Sequence, residues 1–212
     1  MLIPKISIII YTSRLDGLEN AISSIISQNY KNYEIIVLDV SDTPLSYFSF
    51  QKVFYENKNI LYMKTDPSEP IGKSYNKALE VSSGEYVSFL TDTSIYTLNS
   101  LISLVKSIKG FDFAYGRIFT KDYTTNRPTY NNFSLLATLT KLLRRDDIHI
   151  SSVLIKKEFL DKIGGFNPDI RRSYALDLWN RILDKGKVIK VNEIIADIHN
   201  CKEQKNAAIR IY

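Results

Sequence analysis

The sequence of 212 residues predicts a single α/β domain with a doubly wound, mostly parallel sheet flanked by helices. An isoleucine-rich run at residues 6–10 is typical of a strand buried on both faces of a parallel sheet. Apolar residues then recur at helical spacing over residues 18–26, and a second apolar run follows at 34–38. A strand, a helix and a strand within about 30 residues form the βαβ unit of this fold class.

The same alternation of apolar patterns continues along the chain. Further strands are predicted at residues 60–63, 85–90, 111–117, 152–155 and 188–191, with a closing segment at 194–199. Further helices are predicted at residues 74–82, 98–108, 135–143, 157–163 and 175–184. Residues 121–132 are rich in Thr, Asn, Pro and Tyr, which predicts a lid or acceptor loop, with disorder as the alternative.

The net charge of +5 suits a diphosphate ligand, an anionic membrane surface or nucleic acid. Nucleic acid is disfavoured because the basic pairs are scattered and carry no recognition motif. The single cysteine, Cys201, excludes an intrachain disulfide and a cysteine zinc site. No apolar run approaches the roughly 20 residues that span a bilayer, and residues 1–5 show no signal-peptide pattern. We therefore expect a cytoplasmic protein, with peripheral attachment to a membrane as a further option.

Polar residues follow three of the predicted strands. Thr12, Asp39 and Asp92 each stand where a buried strand ends. In open α/β sheets, ligands bind in a crevice at the carboxyl ends of the strands. We therefore predict that these three residues border one crevice.

Several stretches are similar to landmarks of family-2 glycosyltransferases with the GT-A fold. They are residues 6–14, 23–30, 33–39, 72–76, 83–90, 149–157 and 163–167. The resemblance covers residues 5–199. It implies a nucleotide diphosphate sugar as co-substrate and inverting transfer to a hydroxyl acceptor on a glycan, lipid or protein. It also implies a donor-binding half at residues 1–117 and an acceptor-side half at residues 118–212.

The resemblance assigns a donor site. The acid that ends the second strand, Asp39, matches a residue that contacts the nucleotide base or ribose in the family, although an Asp there could also cap the next turn. Gly72 would permit close approach to a ligand, and Lys73 with the amino-terminal amides of its helix would meet the diphosphate. Lys73 could equally be a solvated first-turn residue. Asn76 belongs to the same helix landmark, and Thr12 borders the predicted crevice.

The family's Asp-X-Asp metal motif falls on Thr91-Asp92-Thr93, so only its middle position is acidic. Because Mg²⁺ and Mn²⁺ favour carboxylate ligands, metal binding would depend on Asp92, with His199 as the second candidate ligand. Asp92 could instead contact ribose or cap the following helix. We interpret the other histidine, His149, as a structural hydrogen-bonding residue.

The family's general base falls on Ala175, which has no carboxylate. Asp177 is the nearest remaining acid and our candidate for the catalytic base, with Asp169 as second choice, although the position of Asp177 is more often structural in the family. Arg172 could neutralise the leaving diphosphate with little or no metal. The alternative to an enzyme is a noncatalytic binding or assembly module that kept the sheet and lost the acids.

Overall fold

The computed structural model of the chain describes residues 3–42, 59–122, 127–130 and 148–199. These residues contain the following elements in chain order: β1 (Ile6–Thr12), α1 (Leu15–Ile26), β2 (Tyr33–Asp39), β3 (Ile60–Lys64), α2 (Ile71–Val81), β4 (Tyr86–Thr91), β5 (Ser94–Tyr96), α3 (Ser100–Ser107), β6 (Phe113–Asp122), β7 (Arg127–Tyr130), a 3₁₀ turn (Ile150–Ser152), β8 (Val153–Lys156), α4 (Lys157–Lys162), α5 (Tyr174–Lys185) and β9 (Val188–Ile198). Across these ranges, no helix is both long enough and apolar enough to cross a bilayer.

The strands form one mixed sheet in the order β3-β2-β1-β4-β8-β6-β9-β5, with β7 paired to β6. Strands β1, β2, β3, β4, β6 and β9 run in one direction, whereas β5, β7 and β8 run in the other. The predicted single domain with a mixed, mostly parallel sheet flanked by helices is therefore confirmed.

Two hydrophobic cores cover the two faces of the sheet. Successive side chains of a strand point to opposite faces, so Ile8 and Ile10 of β1 join one core and Ile9 joins the other. The core around Ile8 and Ile10 packs under α1 and α3, and the core around Ile9 packs under α2 and α5. Residues 6–10 of β1 are fully buried on both faces, as their isoleucine-rich sequence predicts.

The prediction of a loop over residues 121–132 is wrong where the structure describes the chain. Lys121 and Asp122 end β6, and they pair with Pro128 and Arg127 of β7. Thr and Tyr favour strands once a partner strand is available, and an edge strand tolerates proline. Two further differences are β5, which the sequence did not predict, and β9, which joins the two predicted segments 188–191 and 194–199. The helix predicted at 135–143 lies outside the described residues.

Glu34 of β2 connects the amino ends of β1 and β4 through hydrogen bonds. Its carboxylate accepts hydrogen bonds from Lys5 Nζ at 2.7 Å, from Ser7 Oγ at 2.6 Å and from the amide of Ser83 at 2.6 Å. Burial alone would raise the pKa of Glu34, but these hydrogen bonds outweigh it and lower the pKa from 4.5 to about 2. The charged form of Glu34 therefore stabilises the folded state.

We expect Glu34→Gln to lower the free energy of unfolding by about 1–2 kcal/mol at pH 7, because the pKa of Glu34 is lower in the folded than in the unfolded chain. The stabilisation is complete above the unfolded pKa of 4.5 and is lost as the pH falls towards 2. Urea unfolding of both proteins at several pH values measures it. The control is Glu19→Gln on the exposed face of α1. Equal stability of Glu34→Gln and the parent at pH 7 would contradict the assignment.

Candidate functional site

The carboxyl ends of β1, β2 and β4 lie side by side at the edge of the sheet where the sequence predicts a crevice. Thr12 pairs with Asp39 in the β1–β2 register, and Tyr11 pairs with Thr91 in the β1–β4 register. The amide of Asp92 continues this edge by donating to the carbonyl oxygen of Tyr11 at 3.2 Å. Thr12, Asp39 and Asp92 thus come to the same edge of the sheet.

Asp39 is fully buried at the end of β2 and makes an ordered set of hydrogen bonds. Its Oδ1 accepts from the amide of Ser41 at 2.8 Å and from Ser41 Oγ at 2.6 Å, while Tyr62 OH donates to Oδ2. Burial raises the pKa of Tyr62, and the hydrogen bond to Asp39 raises it further, so Tyr62 keeps its proton. Asp39 therefore caps the turn after β2, and its carboxylate lies buried at the carboxyl end of that strand.

Asp92 lies against the residues that follow β1. Its Oδ2 accepts from the amide of Ser13 at 3.0 Å and lies 3.5 Å from Arg14 Nε. Arg14 Nη2 also donates to the main-chain oxygen of Asp92 at 3.2 Å. The guanidinium of Arg14 thus contacts both the backbone and the side chain of Asp92. Sequence reasoning missed Ser13 and Arg14, although they directly follow the same strand end as Thr12.

Gly17 permits this contact between α1 and the turn after β4. A methyl group at Gly17 would lie 2.1 Å from the main-chain oxygen of Asp92 and 2.8 Å from its Cβ, closer than real contacts allow. Helix α1 can therefore approach the Asp92 turn only because residue 17 has no side chain.

We expect Gly17→Ala to lower the free energy of unfolding by about 1–3 kcal/mol, since the added methyl overlaps backbone atoms. Alanine in the interior of a helix normally stabilises it by about 0.8–1.0 kcal/mol relative to glycine, so the expected sign is opposite to helix propensity. Chemical denaturation gives the value. Asn20→Ala, on the exposed face of the same helix, is the control and should be neutral or stabilising. A more stable Gly17→Ala protein would refute the close packing.

Hydroxyl groups occupy the two positions where the family's metal motif has acids. Thr91 Oγ1 lies 2.9 Å from Thr93 Oγ1 and 2.6 Å from Ser94 Oγ, and Ser94 Oγ lies 2.7 Å from Ser151 Oγ. These neutral side chains bind one another. Across the described residues, no cluster of three or more His, Cys, Asp or Glu side chains could hold a metal ion.

Each of the two histidines contacts a different residue of this hydroxyl cluster. His199 is exposed, and its amide donates to the main-chain oxygen of Thr93 at 2.7 Å. It lines a groove with Asn20 and the serines of α1, whereas Asp92 faces Arg14. His149 Nδ1 accepts from the amide of Ser151 at 3.1 Å, and burial lowers its pKa from 6.5 to about 4. His149 thus caps the 3₁₀ turn as a neutral imidazole.

Gly72 and Asn76 of α2 contact the turn at residues 164–167. The Asn76 side chain donates to the carbonyl oxygen of Phe166 at 2.8 Å and accepts from its amide at 2.9 Å. A methyl group on Gly72 would lie 2.7 Å from the carbonyl oxygen of Asn167, and one on Gly165 would lie 2.7 Å from Asn76 Oδ1. The close approach that Gly72 permits is thus to this turn of the protein.

The basic candidates border α2 and the loop before α5. The side chain of Lys73 is half-exposed, and its Nζ lies 3.1 Å from Glu69 Oε1. The ammonium group of Lys73 is therefore at the solvent side of the first turn of α2. Arg171 Nη1 donates to the carbonyl oxygen of Ser68 at 3.0 Å, so the loop before α5 contacts the turn before α2. Arg172, next in this loop, is exposed.

The acceptor-side candidates lie at the start of α5. Ala175 is buried, and the preceding Tyr174 joins an aromatic cluster with Tyr75 and Phe166. Asp177 Oδ2 accepts from Arg181 Nη2 at 2.8 Å, and the same guanidinium nitrogen donates to the carbonyl oxygen of Gly165 at 2.7 Å. Asp177 therefore takes part in the contact between α5 and the 164–167 turn.

Asp169, the second choice for the base, is exposed on the loop before α5. Its amide donates to Asn167 Oδ1 at 3.0 Å.

The model of the glycosyl transferase family 2 matches residues 6–164, which contain Thr12, Asp39, the hydroxyl cluster and α2. The chain belongs to glycosyl transferase family 2. The resemblance seen in its sequence is therefore confirmed.

Curated relatives of this family member include two enzymes with named substrates. The UDP-Glc:α-D-GlcNAc-diphosphoundecaprenol β-1,3-glucosyltransferase WfaP of Escherichia coli is 28% identical over 180 residues, covering 81% of this chain and 66% of the relative. A GalNAc(5)-diNAcBac-PP-undecaprenol β-1,3-glucosyltransferase of Campylobacter jejuni is 31% identical over 116 residues, covering 53% of this chain and 38% of that enzyme. An uncharacterized glycosyltransferase of Rickettsia conorii is 26% identical over 78% of this chain, which spans 29% of that relative's length.

Solved structures support the fold of this family member. S. aureus TarS 1-349 in complex with UDP-GlcNAc superimposes with a TM-score of 0.74 at 17% identity, covering 92% of this chain and 58% of TarS 1-349. A second crystal structure of S. aureus TarS gives a TM-score of 0.72 at 14% identity, covering 98% of this chain and 38% of that chain. The GT-A fold predicted from the sequence is confirmed.

Proposed function

We propose that this glycosyltransferase moves a sugar from a uridine diphosphate sugar to a hydroxyl group of a lipid-linked glycan, with inversion at the transferred carbon. The observation that carries the proposal is the buried, hydrogen-bonded carboxylate of Asp39 at the carboxyl end of β2, in a member of a glycosyltransferase family. A carboxylate there can accept hydrogen bonds from a uracil edge or from ribose hydroxyls.

The donor would lie along the carboxyl ends of β1, β2 and β4. Asp39 would bind the nucleoside, and Thr12 and Asp92 would border it. Lys73 and Arg172 would neutralise the diphosphate, since both are basic and solvent-accessible near the start of α2. Gly72 and Asn76 would act indirectly, because they hold the 164–167 turn against α2. The UDP-glucose named for the Escherichia coli relative supports uridine as the nucleoside.

A lipid-linked acceptor is supported by the undecaprenol-linked substrates in the names of the Escherichia coli and Campylobacter jejuni relatives. We propose that the chain works on the cytoplasmic side of a membrane and attaches to it peripherally. Its net charge of +5 suits an anionic lipid surface.

Asp177 is the proposed general base, because inverting transfer needs a carboxylate to take the proton of the acceptor hydroxyl. Only Oδ2 of this carboxylate is engaged by Arg181 among the described residues, and the side chain is 26% exposed. The oxygen Oδ1 would therefore accept the proton.

A noncatalytic binding module is the second candidate. The observation that favours it is the replacement of three family acids by Thr91, Thr93 and Ala175. Such a module would bind the nucleotide through Asp39 but would not turn over the donor.

The test is incubation of the protein with UDP-glucose, UDP-GlcNAc and other nucleotide sugars, together with a GlcNAc-diphospholipid acceptor. We expect release of UDP and a longer glycan, detected by mass spectrometry, and a β-linked product in its NMR spectrum. Binding of UDP measured by calorimetry without turnover would favour the noncatalytic module. Absence of both UDP binding and transfer would exclude both candidates.

A further inference from the structure

We infer that Arg14 supplies the fixed positive charge at the donor diphosphate, in place of the divalent cation that the fold family implies. The inference rests on the proposed function, because it concerns the same transfer reaction.

The residues at the family's metal motif do not fit a divalent cation. Thr91 and Thr93 bring neutral hydroxyl groups, which are weak ligands for Mg²⁺ or Mn²⁺ compared with carboxylates. These hydroxyls already bind each other at 2.9 Å, and Thr91 also binds Ser94 at 2.6 Å. The motif therefore lacks two of the negative charges that would hold a cation.

The one remaining carboxylate of the motif faces a positive charge. Asp92 Oδ2 lies 3.5 Å from Arg14 Nε and accepts from the amide of Ser13 at 3.0 Å. A divalent cation on Asp92 would stand next to the guanidinium and be repelled by it. His199 lines a groove with Asn20 and serines of α1, and a neutral imidazole would add no negative charge at the motif. The positive charge at this position belongs to the protein itself.

Arg14 is held where a donor diphosphate would pass. Arg14 follows β1 closely, and two hydrogen bonds join its main chain to the hydroxyl group of Thr12. The amide of Arg14 donates to Thr12 Oγ1 at 3.2 Å, and Thr12 Oγ1 donates to the carbonyl oxygen of Arg14 at 2.9 Å. The guanidinium reaches the end of β4 through the main-chain oxygen of Asp92. The side chain is 31% exposed, so a ligand in the crevice can contact it.

A fixed guanidinium suits the chemistry of the transfer. The acceptor oxygen forms a bond to the anomeric carbon, while the bond from that carbon to the diphosphate oxygen breaks and its electron pair leaves with UDP. The proton of the acceptor hydroxyl passes to the base, proposed as Asp177. Negative charge therefore grows on the diphosphate, and arginine stabilises phosphate oxygens with paired, charge-assisted hydrogen bonds. Asp92 keeps the guanidinium oriented before the donor binds.

The experiment compares transfer with EDTA and with Mn²⁺ for the parent protein, Arg14→Ala, Arg14→Lys and the control Lys109→Ala. Lys109 is exposed just after α3 and lines a groove with Ile3 and Pro4, so its replacement removes one charge near the amino end of β1, the opposite end from Arg14. We expect the parent and Lys109→Ala to work equally well in EDTA and Mn²⁺. Arg14→Ala should lose about 10²–10³-fold in kcat/KM, mostly in kcat, and Arg14→Lys should recover part of it. Circular dichroism checks that each variant is folded.

A second variant reverses the design. Arg14→Ala combined with Thr91→Asp and Thr93→Asp should regain transfer with Mn²⁺ and stay inactive in EDTA. Loss of parental transfer in EDTA with recovery in Mn²⁺ would overturn the inference while leaving the proposed function intact. If the parent shows no transfer at all, the proposed function fails, and the affinity for UDP then tests the role of Arg14. Weakening of UDP binding by about tenfold or more in Arg14→Ala without Mn²⁺ supports that role. Unchanged UDP binding rejects it.

Discussion

Replacing Asp177 with asparagine is expected to slow sugar transfer by about 10²–10⁴-fold, because general-base catalysis contributes this much in enzymes. Asparagine keeps the shape of the side chain and an oxygen that can still accept from Arg181. It cannot take a proton from the acceptor. The substrate KM should change little, so the loss should be in kcat.

The competing role of Asp177 is structural, since its carboxylate binds Arg181 one helical turn later. Loss of such a partly exposed pair costs about 0.3–0.5 kcal/mol, which would reduce activity only slightly. Asp161→Asn is the matched control, because Asp161 makes the same type of pair with Lys157 on α4. If Asp177→Asn and Asp161→Asn both retain most of the activity, Asp177 is not the base.

Trp179→Ala should lower the free energy of unfolding by about 3–5 kcal/mol. Trp179 is fully buried in α5, and its ring lies 5.1 Å from that of Phe113 on β6. Its indole nitrogen donates to the carbonyl oxygen of Ile148 at 3.0 Å. The alanine would leave a cavity and a carbonyl oxygen without its donor. Urea denaturation followed by circular dichroism measures the loss.

Trp179→Phe separates the contribution of the buried ring from that of the hydrogen bond to Ile148. Phenylalanine fills most of the space but cannot donate to Ile148, so we expect a loss of about 1–3 kcal/mol. Equal stability of the alanine variant and the parent would show that α5 does not depend on this side chain.

The sequence predicted the parallel part of the fold well, because local patterns determine it. Strands buried on both faces need runs such as Ile8 to Ile10 in β1, and helix α1 needs apolar residues on one side only. Strand β5 has three residues, and it exists because Ser94–Tyr96 pairs with the end of β9 about a hundred residues later. No local pattern marks such a strand.

The site was harder to predict, since the roles of its residues depend on distant partners. Gly72 and Asn76 were expected at the donor. In the structure they contact the 164–167 turn, and their role at the donor stays a prediction. That turn lies 90 residues away along the chain, so only the fold brings it to α2. Arg14 carried a weaker signal, a basic residue just after a buried strand. Arg14 becomes a candidate when every polar residue that follows a buried strand is considered.

Strand β8 has a consequence for how the chain is made. It stands between β4 and β6, although its residues 153–156 come long after both in the sequence. A growing polypeptide that has left the ribosome only as far as residue 117 already contains β4 and the start of β6, but the strand that joins them is still to be synthesised. Open strand edges invite pairing with other chains. Protection of the nascent chain therefore depends on the prompt arrival of residues 153–156, because the sheet between β4 and β6 closes only when they are present.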